Sequence, residues 1–302
     1  MKFVNLRGVV KLQEPMSGHT SYRIGGIADA LVTPVDRQDL AALLQEMKDQ
    51  HLPCLVLGGG TNLLVRDGGF RGVVISLKKM TTIGIFREYR SLGGSFAVIH
   101  VEAGAMLARL LSFSVERGLT GLEFATGIPG TVGGAVCMNA GTAQGEMGDI
   151  LDTVTLVAPS GELILRNREE MGFGYRTANI PADHVVSDAK IILRYGDAGQ
   201  IKAHVKQIMA RRKDKQPWGL PSAGSVFKNP QDESAGKLIE SAGLKGLAIG
   251  GAQVSEKHAN FIVNRGNAKA ADVLQLMEII KEKVLDMHQI RLEPEIKIVG
   301  ED

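Results

Sequence analysis

The sequence is poor in the residues that mark several common protein classes. It contains only two cysteines, Cys54 and Cys137, which provide neither a disulfide framework nor a paired-cysteine metal or redox motif. Its 35 basic and 33 acidic residues leave a net charge of +2, which argues against a nucleic-acid or membrane-surface protein. No apolar run approaches the roughly 20 residues of a membrane span. Arg7 and Lys11 interrupt the N-terminal segment before a signal-peptide core can form. We therefore expect a cytoplasmic protein with no membrane insertion and no nucleic-acid partner.

The common nucleotide and metal motifs are also missing. There is no GxxxxGK[ST] sequence, which excludes a P-loop. The segment 58–63 reads GGGTNL, so Leu63 stands where a dinucleotide-binding GxGxxG motif needs its third glycine. No HExxH sequence or Cys/His cluster is present, and we therefore expect no metal site.

Helix and strand signals alternate along the chain, which predicts an α+β protein. Amphipathic spacing predicts helices over 36–50, 106–117 and 199–213. A last long helix is expected after a cap at Asn267, with a core stripe of Val273, Leu276, Met277, Ile280, Val284 and Met287. Short apolar runs predict strands at 53–57, 73–77, 96–101, 261–263 and 292–299, and a hairpin of 154–157 with 162–165.

Glycine is the residue in excess. The chain has 37 glycines in 302 residues, about 12% against a usual value of about 7%. Fifteen of them fall in two windows, 58–72 and 118–148. In the first window, consecutive glycines after a predicted strand let backbone N–H groups approach an anion closely, as in a pyrophosphate cradle. A pair of tight turns is the alternative interpretation.

The second window is densest over 123–141, where nearly every residue is uncharged. A winding backbone with few side chains can wrap a flat ring system and supply main-chain hydrogen bonds to its edge. A packed glycine-rich helix pair with no ligand explains the same spacing equally well.

Six segments together resemble one known family, the UDP-N-acetylenolpyruvoylglucosamine reductases, also called UDP-N-acetylmuramate dehydrogenases. They lie in the family's order across nearly the whole chain: YRIGG (22–26), LGGGTNLLVRDGGF (57–70), GIPGTVGGAVCMNAG (127–141), FGYR (173–176), AGSVFKNP (223–230) and LEPEIKIVG (292–300). The compact length, with no insertion around Tyr175, is similar to the shorter, type II branch.

The resemblance implies a fold and a cofactor. The fold is a two-subdomain FAD-binding unit of the vanillyl-alcohol-oxidase/PCMH type, expected over 1–197 with subdomains of about 1–78 and 79–197. A C-terminal α+β substrate domain is expected over 198–302, with the last strand, 292–302, returning to the FAD-binding region. Non-covalent FAD would contact Tyr22, Arg23, Ile24, Gly58, Gly59, Gly60, Thr61, Asn62, Leu63, Gly127, Ile128, Pro129, Gly130, Gly133, Gly134, Ala135, Asn139 and Ala140.

The resemblance also implies a reaction in peptidoglycan precursor synthesis. NADPH gives a hydride to N5 of FAD, and the reduced flavin passes it to C3 of the enolpyruvyl ether of UDP-N-acetylglucosamine. Ser225 would then protonate C2, Arg176 would hold the substrate carboxylate, and Glu295 would join the same network. The further substrate contacts would be Tyr175, Lys215, Asn229, His258 and Lys297.

Two other functions remain open on the residues alone. A related oxidase of the same flavoprotein type would share 58–141 but lack the Ser225 and Glu295 segments. A non-enzymatic flavin-binding module would bind FAD without turnover.

Overall fold

The structure, a computed structural model, describes Met1 and residues 3–302 and is α+β, as predicted. The strands in chain order are β1 (Val9–Pro15), β2 (Ile27–Thr33), β3 (Cys54–Leu57), β4 (Leu63–Val65), β5 (Phe70–Ser76), β6 (Ile83–Ser91), β7 (Gly94–Glu102), β8 (Leu119–Thr120), β9 (Gly141–Thr142), β10 (Gly145–Glu146), β11 (Leu151–Val157), β12 (Leu163–Asn167), β13 (Val185–Tyr195), β14 (Ala248–Ile249), β15 (Ala252–Val254), β16 (Ile262–Asn264) and β17 (Lys297–Val299). The α-helices are α1 (Arg37–Asp49), α2 (Leu107–Glu116), α3 (Val132–Cys137), α4 (Met147–Ile150), α5 (Ala198–Lys215), α6 (Ala235–Ser241) and α7 (Ala270–His288). Within these described residues, no helix combines the length and apolar character needed to cross a membrane.

The chain forms two compact units, each assembled from three separate segments. Unit 1 consists of Met1–Lys11, Ala30–Gly59 and Gly72–Ala210, and unit 2 of Leu12–Asp29, Gly60–Arg71 and Arg211–Asp302. The domain bounds expected from the sequence remain a prediction. Each unit has its own cluster of buried apolar side chains.

Unit 1 is built on an antiparallel sheet with the strand order β12-β11-β13-β7-β6, and β8 also pairs with β13. β11 and β12 form the predicted hairpin, and Gly161 has a φ of +81° in its turn. Also within unit 1, β3 pairs in parallel with β5, with Cys54 opposite Val73 and Leu57 opposite Ser76. The predicted cap of α1 is confirmed, because the side chain of Asp36 accepts from the Asp39 N–H at 2.9 Å.

The central strand of that antiparallel sheet, β13, was not predicted from the sequence. Ser187 and Asp188 interrupt its apolar run, yet both are buried. The structure satisfies them, because Asp188 accepts from the Thr155 hydroxyl at 2.9 Å and the Arg37 guanidinium at 3.1 Å, and the Ser187 hydroxyl donates to the Thr155 carbonyl at 3.2 Å. Polar residues therefore fit inside this strand through partners that are distant in sequence.

Unit 2 packs α6 and α7 with a small antiparallel sheet of order β14-β15-β16. β17 pairs in parallel with β4, with Lys297 opposite Leu63 and Val299 opposite Val65. Only residues 297–299 of the predicted terminal strand over 292–299 form a strand.

The start and end of α7 differ from the sequence prediction. The helix begins at Ala270 rather than after Asn267, and the carboxylate of Asp67 accepts from the N–H groups of Ala270 and Ala271 at 2.9 and 3.0 Å. The predicted apolar stripe is buried except for Met287, which is 57% exposed near the last turn. The cap was missed because it comes from a residue about 200 positions earlier in the chain.

Replacing Asp67 with alanine should destabilise unit 2. The first turn of α7 then loses both acceptors, and we expect a loss of about 1–2 kcal/mol in unfolding free energy. Urea unfolding followed by circular dichroism measures this change. Glu282→Ala, at an exposed position on α7, is the matched control, and an equal loss there would contradict the cap.

Candidate active site

Two glycines of the first window occupy positions that exclude any side chain. In unit 1, a Cβ on Gly58 would lie 2.6 Å from the Thr131 hydroxyl oxygen. In unit 2, Gly60 has a φ of +61°, and its Cβ would lie 2.1 Å from the His19 carbonyl oxygen. These glycines are required by backbone conformation and close approach.

The second window lies entirely in unit 1, and its middle contacts the residues that directly follow β7. The N–H groups of Val132 and Gly133 donate to the carbonyls of Ala105 and Ala103, both at 2.9 Å. A Cβ on Gly133 would lie 2.7 Å from the Ala103 side chain. The short helix α3 begins at this contact, so part of the window is helical and packed rather than winding.

Thr126, inside the second glycine window, carries a polar atom that lacks a partner in the described part of the protein. Its side chain is fully buried, and its hydroxyl has no hydrogen-bond partner among Met1 and residues 3–302. A native protein rarely buries a hydroxyl without a partner. An orphaned buried hydroxyl within a glycine-rich segment fits a bound polar group, and it therefore fits the FAD that the resemblance implies.

The predicted FAD residues are divided between the two units. Unit 1 contains Gly58, Gly59, Gly127, Ile128, Pro129, Gly130, Gly133, Gly134, Ala135, Asn139 and Ala140, and unit 2 contains Tyr22, Arg23, Ile24, Gly60, Thr61, Asn62 and Leu63. Their contact with the cofactor stays a prediction.

Tyr22 is buried in the apolar core of unit 2. Its hydroxyl also lacks a hydrogen-bond partner in the described chain, and burial raises the pKa of Tyr22 above its usual value. The Tyr22 carbonyl accepts from the side-chain amide of Asn264 at 3.0 Å. The Tyr22 ring is therefore held within the apolar core of unit 2.

Unit 2 brings the Ser225 and Glu295 segments side by side. The Glu295 N–H donates to the Val226 carbonyl at 2.8 Å, and the Lys228 N–H donates to the Glu293 carbonyl at 2.9 Å. An antiparallel bridge joins Phe227 with Pro294 between these bonds. Residues 70 positions apart in sequence therefore lie on neighbouring extended segments.

Asn260 holds the Ser225 segment from its other side and was missed by the sequence analysis. It is buried, and its side chain accepts from the Phe227 N–H at 2.9 Å and donates to the Phe227 carbonyl at 2.8 Å. The Asn260 carbonyl also accepts from the Val226 N–H at 2.8 Å. No periodic pattern marks such a residue, because its partners are set by the tertiary fold.

Arg176 lies in unit 1 at the tip of a tight turn. Gly174 and Thr177 exchange two backbone hydrogen bonds of 3.1 and 3.2 Å, which leaves Tyr175 and Arg176 between them. Arg176 has a φ of +58°, and its guanidinium carbon lies 5.0 Å from the centre of the Tyr175 ring. The turn presents both side chains next to each other.

The remaining predicted substrate residues are in unit 2. Lys215 is exposed at the end of α5, and Lys297 is exposed in β17. The Asn229 side chain accepts from the Ala235 N–H at 3.1 Å at the start of α6. Their contact with substrate stays a prediction.

His258 is a largely buried imidazole in unit 2. Its Nδ1 accepts from the Asn260 N–H at 3.3 Å, which places the proton of the neutral ring on Nε2. Burial lowers the pKa of His258 below its usual value. The ring therefore offers an Nε2–H donor and carries no charge at neutral pH.

Comparison with known proteins identifies the two parts of the chain. Residues 28–165 match the family model of an FAD binding domain. Residues 216–299 match the model of the C-terminal domain of UDP-N-acetylenolpyruvoylglucosamine reductase. The chain is therefore a flavoprotein oxidoreductase with an added C-terminal domain, as predicted.

Full-length relatives define the family more narrowly. The UDP-N-acetylenolpyruvoylglucosamine reductase of Desulfosudis oleivorans is 47% identical over 304 residues, covering 98% of this chain and 96% of the relative. That of Geotalea uraniireducens is 44% identical, with the same coverage. The crystal structure of the Thermus caldophilus enzyme superposes with a TM-score of 0.81 at 37% identity, covering 98% of this chain and 100% of that one. The chain belongs to the UDP-N-acetylenolpyruvoylglucosamine reductase family.

Replacing Thr126 with valine should weaken FAD binding without destabilising the apoprotein. Valine keeps the shape but removes the hydroxyl, so the cofactor loses one hydrogen bond, and we expect FAD affinity to fall about 5- to 10-fold. Titration of apoprotein with FAD, followed by flavin fluorescence, measures the affinity. Thr126→Ser retains the hydroxyl and should bind FAD normally. A marked drop in apoprotein Tm with unchanged FAD affinity would show that the hydroxyl serves the protein alone.

Replacing His258 with glutamine should make stability less sensitive to acid. Because burial lowers the pKa of His258, the unfolded chain binds this proton more readily than the folded protein. The unfavourable contribution of His258 to stability is therefore absent above the unfolded-state pKa of about 6.5 and grows as the pH falls below that value. The decrease in Tm from pH 7 to pH 5 should be smaller in His258→Gln. His204→Gln, at an exposed position on α5, should keep the parent profile.

Proposed function

We propose that this chain reduces the enolpyruvyl ether of UDP-N-acetylglucosamine to UDP-N-acetylmuramate, with NADPH as electron donor, in peptidoglycan precursor synthesis. The family to which the chain belongs supports the substrate. The observation that carries the proposal is the backbone pairing of the Ser225 and Glu295 segments in unit 2. That pairing brings together two of the three residues to which we assign the chemistry.

The residues expected to hold FAD lie in segments 22–24 and 58–63 and in the second glycine window, where Thr126 is added to them. When bound, FAD supplies the hydride relay from NADPH to C3 of the enolpyruvyl group. The protein supplies position, electrostatics and a proton.

Ser225 is proposed to hold the proton for C2. Hydride addition at C3 leaves negative charge at C2 and on the carboxylate, and the Ser225 hydroxyl donates its proton to C2 to complete the reduction. A serine hydroxyl is a very weak acid, so the donor must lie close to C2 and its alkoxide must be stabilised. Lys215 is proposed to help stabilise the alkoxide, and it lies ten residues before Ser225, at the start of the loop that leads to it.

Arg176 and Glu295 are proposed to bind the substrate carboxylate. A guanidinium offers two parallel N–H donors that match a carboxylate and oppose the charge that develops there. Glu295 is proposed to join the same carboxylate-binding network. Tyr175, Asn229, His258 and Lys297 are proposed to contact the rest of the substrate.

One assay distinguishes this function from its alternatives. Oxidation of NADPH is followed by absorbance with and without the enolpyruvyl substrate. Oxidation that depends on the substrate supports the reductase. Oxidation that depends only on oxygen indicates an oxidase, and a yellow protein without turnover indicates a flavin-binding module.

Replacing Ser225 with alanine should slow only the second half of the reaction. Flavin reduction by NADPH should keep its rate, whereas reoxidation by substrate should slow by about 10²–10⁴-fold, a typical general-acid contribution. Stopped-flow flavin absorbance measures the two steps separately. Ser222→Ala, in the same loop, is the control and should behave as the parent enzyme. Equal slowing of both half-reactions would contradict the proton-donor role.

A further inference from the structure

A single side chain connects the second glycine window to the turn that carries Arg176. Asn139 is fully buried, and its side-chain amide donates to the Gly174 carbonyl at 3.0 Å. Its side-chain oxygen accepts from the Gly148 N–H at 2.9 Å. Both the N–H donor and the oxygen acceptor of the side-chain amide therefore have hydrogen-bond partners within unit 1.

The same turn also rests on Gly148. A Cβ on Gly148 would lie 3.0 Å from ring atoms of Phe173, so the Phe173 ring lies directly against this glycine. Gly148 thus donates to Asn139 on one side and supports the residue preceding Gly174 on the other. The Asn139 hydrogen bond and the Phe173 contact therefore add to the two backbone hydrogen bonds that close the turn, and Gly148 contacts both Asn139 and Phe173.

Arg176 needs this support because of its backbone. Its φ of +58° is a conformation that is unfavourable for a non-glycine residue and persists only when its surroundings impose it. The Gly174 carbonyl, which accepts from Asn139, belongs to the residue that closes the turn with Thr177. Loss of the bond from Asn139 would free the closing residue and let Arg176 relax.

The requirements at position 139 suit asparagine. The residue has a φ of +39°, a region where asparagine is enriched, and its side chain must donate at one end and accept at the other. Aspartate keeps the acceptor toward Gly148 but turns an oxygen toward the Gly174 carbonyl, which replaces attraction with repulsion.

We propose that Asn139 is a positioning residue for Arg176, and that its side chain orients the substrate-carboxylate contact rather than binding FAD. The inference rests on the proposed role of Arg176. Asn139 was expected to contact the cofactor, and its backbone remains available for that role. A guanidinium displaced by about 1 Å costs on the order of 10²-fold in rate.

The test is a double-mutant comparison in the FAD-loaded enzyme. Asn139→Asp, Arg176→Lys and the double variant are each measured for flavin reduction by NADPH and for reoxidation by the enolpyruvyl substrate. We expect Asn139→Asp to slow reoxidation by about 10- to 100-fold with reduction little changed. The double variant should be no slower than Arg176→Lys, because both changes act on the same guanidinium.

A second variant keeps the test valid if Asn139→Asp folds poorly. Gly148→Ala leaves the Asn139 side chain intact but places a methyl group against Phe173, and it should give the same selective loss, again without adding to Arg176→Lys. Asn264→Asp is the matched control. It makes the same change at an asparagine in unit 2 whose side chain is also hydrogen-bonded at both ends, so any effect should multiply with that of Arg176→Lys.

The outcomes separate the two levels of the hypothesis. If Arg176→Lys reoxidises at the parent rate, the proposed role of Arg176 is wrong, whatever Asn139 does. If Arg176→Lys is slow and the effect of Asn139→Asp multiplies with it, Asn139 acts elsewhere and the inference is overturned. Equal loss of both half-reactions in Asn139→Asp and Gly148→Ala would also overturn it, since general destabilisation affects both steps.

Discussion

The C-terminal segment 293–299 is the constraint on which unit 2 depends, because it is hydrogen-bonded to two other parts of the chain. Its first part pairs with 226–228, and its last part, β17, pairs in parallel with β4. Between them, the side-chain amide of Asn62 donates to the Glu295 carbonyl at 3.1 Å. The buried side chains of Leu292 and Ile296 anchor the segment in the apolar core of unit 2. The Ser225 loop and the middle of the first glycine window thus both contact this short C-terminal segment.

Asparagine amides with both ends hydrogen-bonded recur at the segments that carry the proposed catalytic residues. The Asn260 side chain is hydrogen-bonded to both backbone groups of Phe227, near Ser225. The Asn139 side chain is hydrogen-bonded to Gly174, in the Arg176 turn, and to Gly148. An amide offers a donor and an acceptor without charge, so it can be buried when both are satisfied. Such a residue fixes a loop in one conformation at little cost. The glycines have the complementary role, since they admit close backbone approach where any side chain would collide.

Local patterns predicted much of the fold, and their failures have a common cause. The 3.6-residue spacing identified α1, α2 and the core face of α7, and apolar runs identified β3, β5 and β7. The start of α7 was wrong because Asp67 caps it from afar. β13 was missed because Ser187 and Asp188 are satisfied only after folding. Each error concerns a polar group whose partner is remote in sequence.

The sequence by itself determined the family and the candidate catalytic residues, because the motifs that identify them are contiguous in sequence and can be recognised without a structure. It also located the glycine excess, since the number and positions of the glycines are read directly from the sequence. Only the tertiary structure decided that Ser225 and Glu295 lie on paired segments, that Thr126 buries an unpartnered hydroxyl, and that Asn139 holds the Arg176 turn. Hydrogen bonds form between atoms that meet in space, and a sequence records the donors and acceptors but not which of them meet.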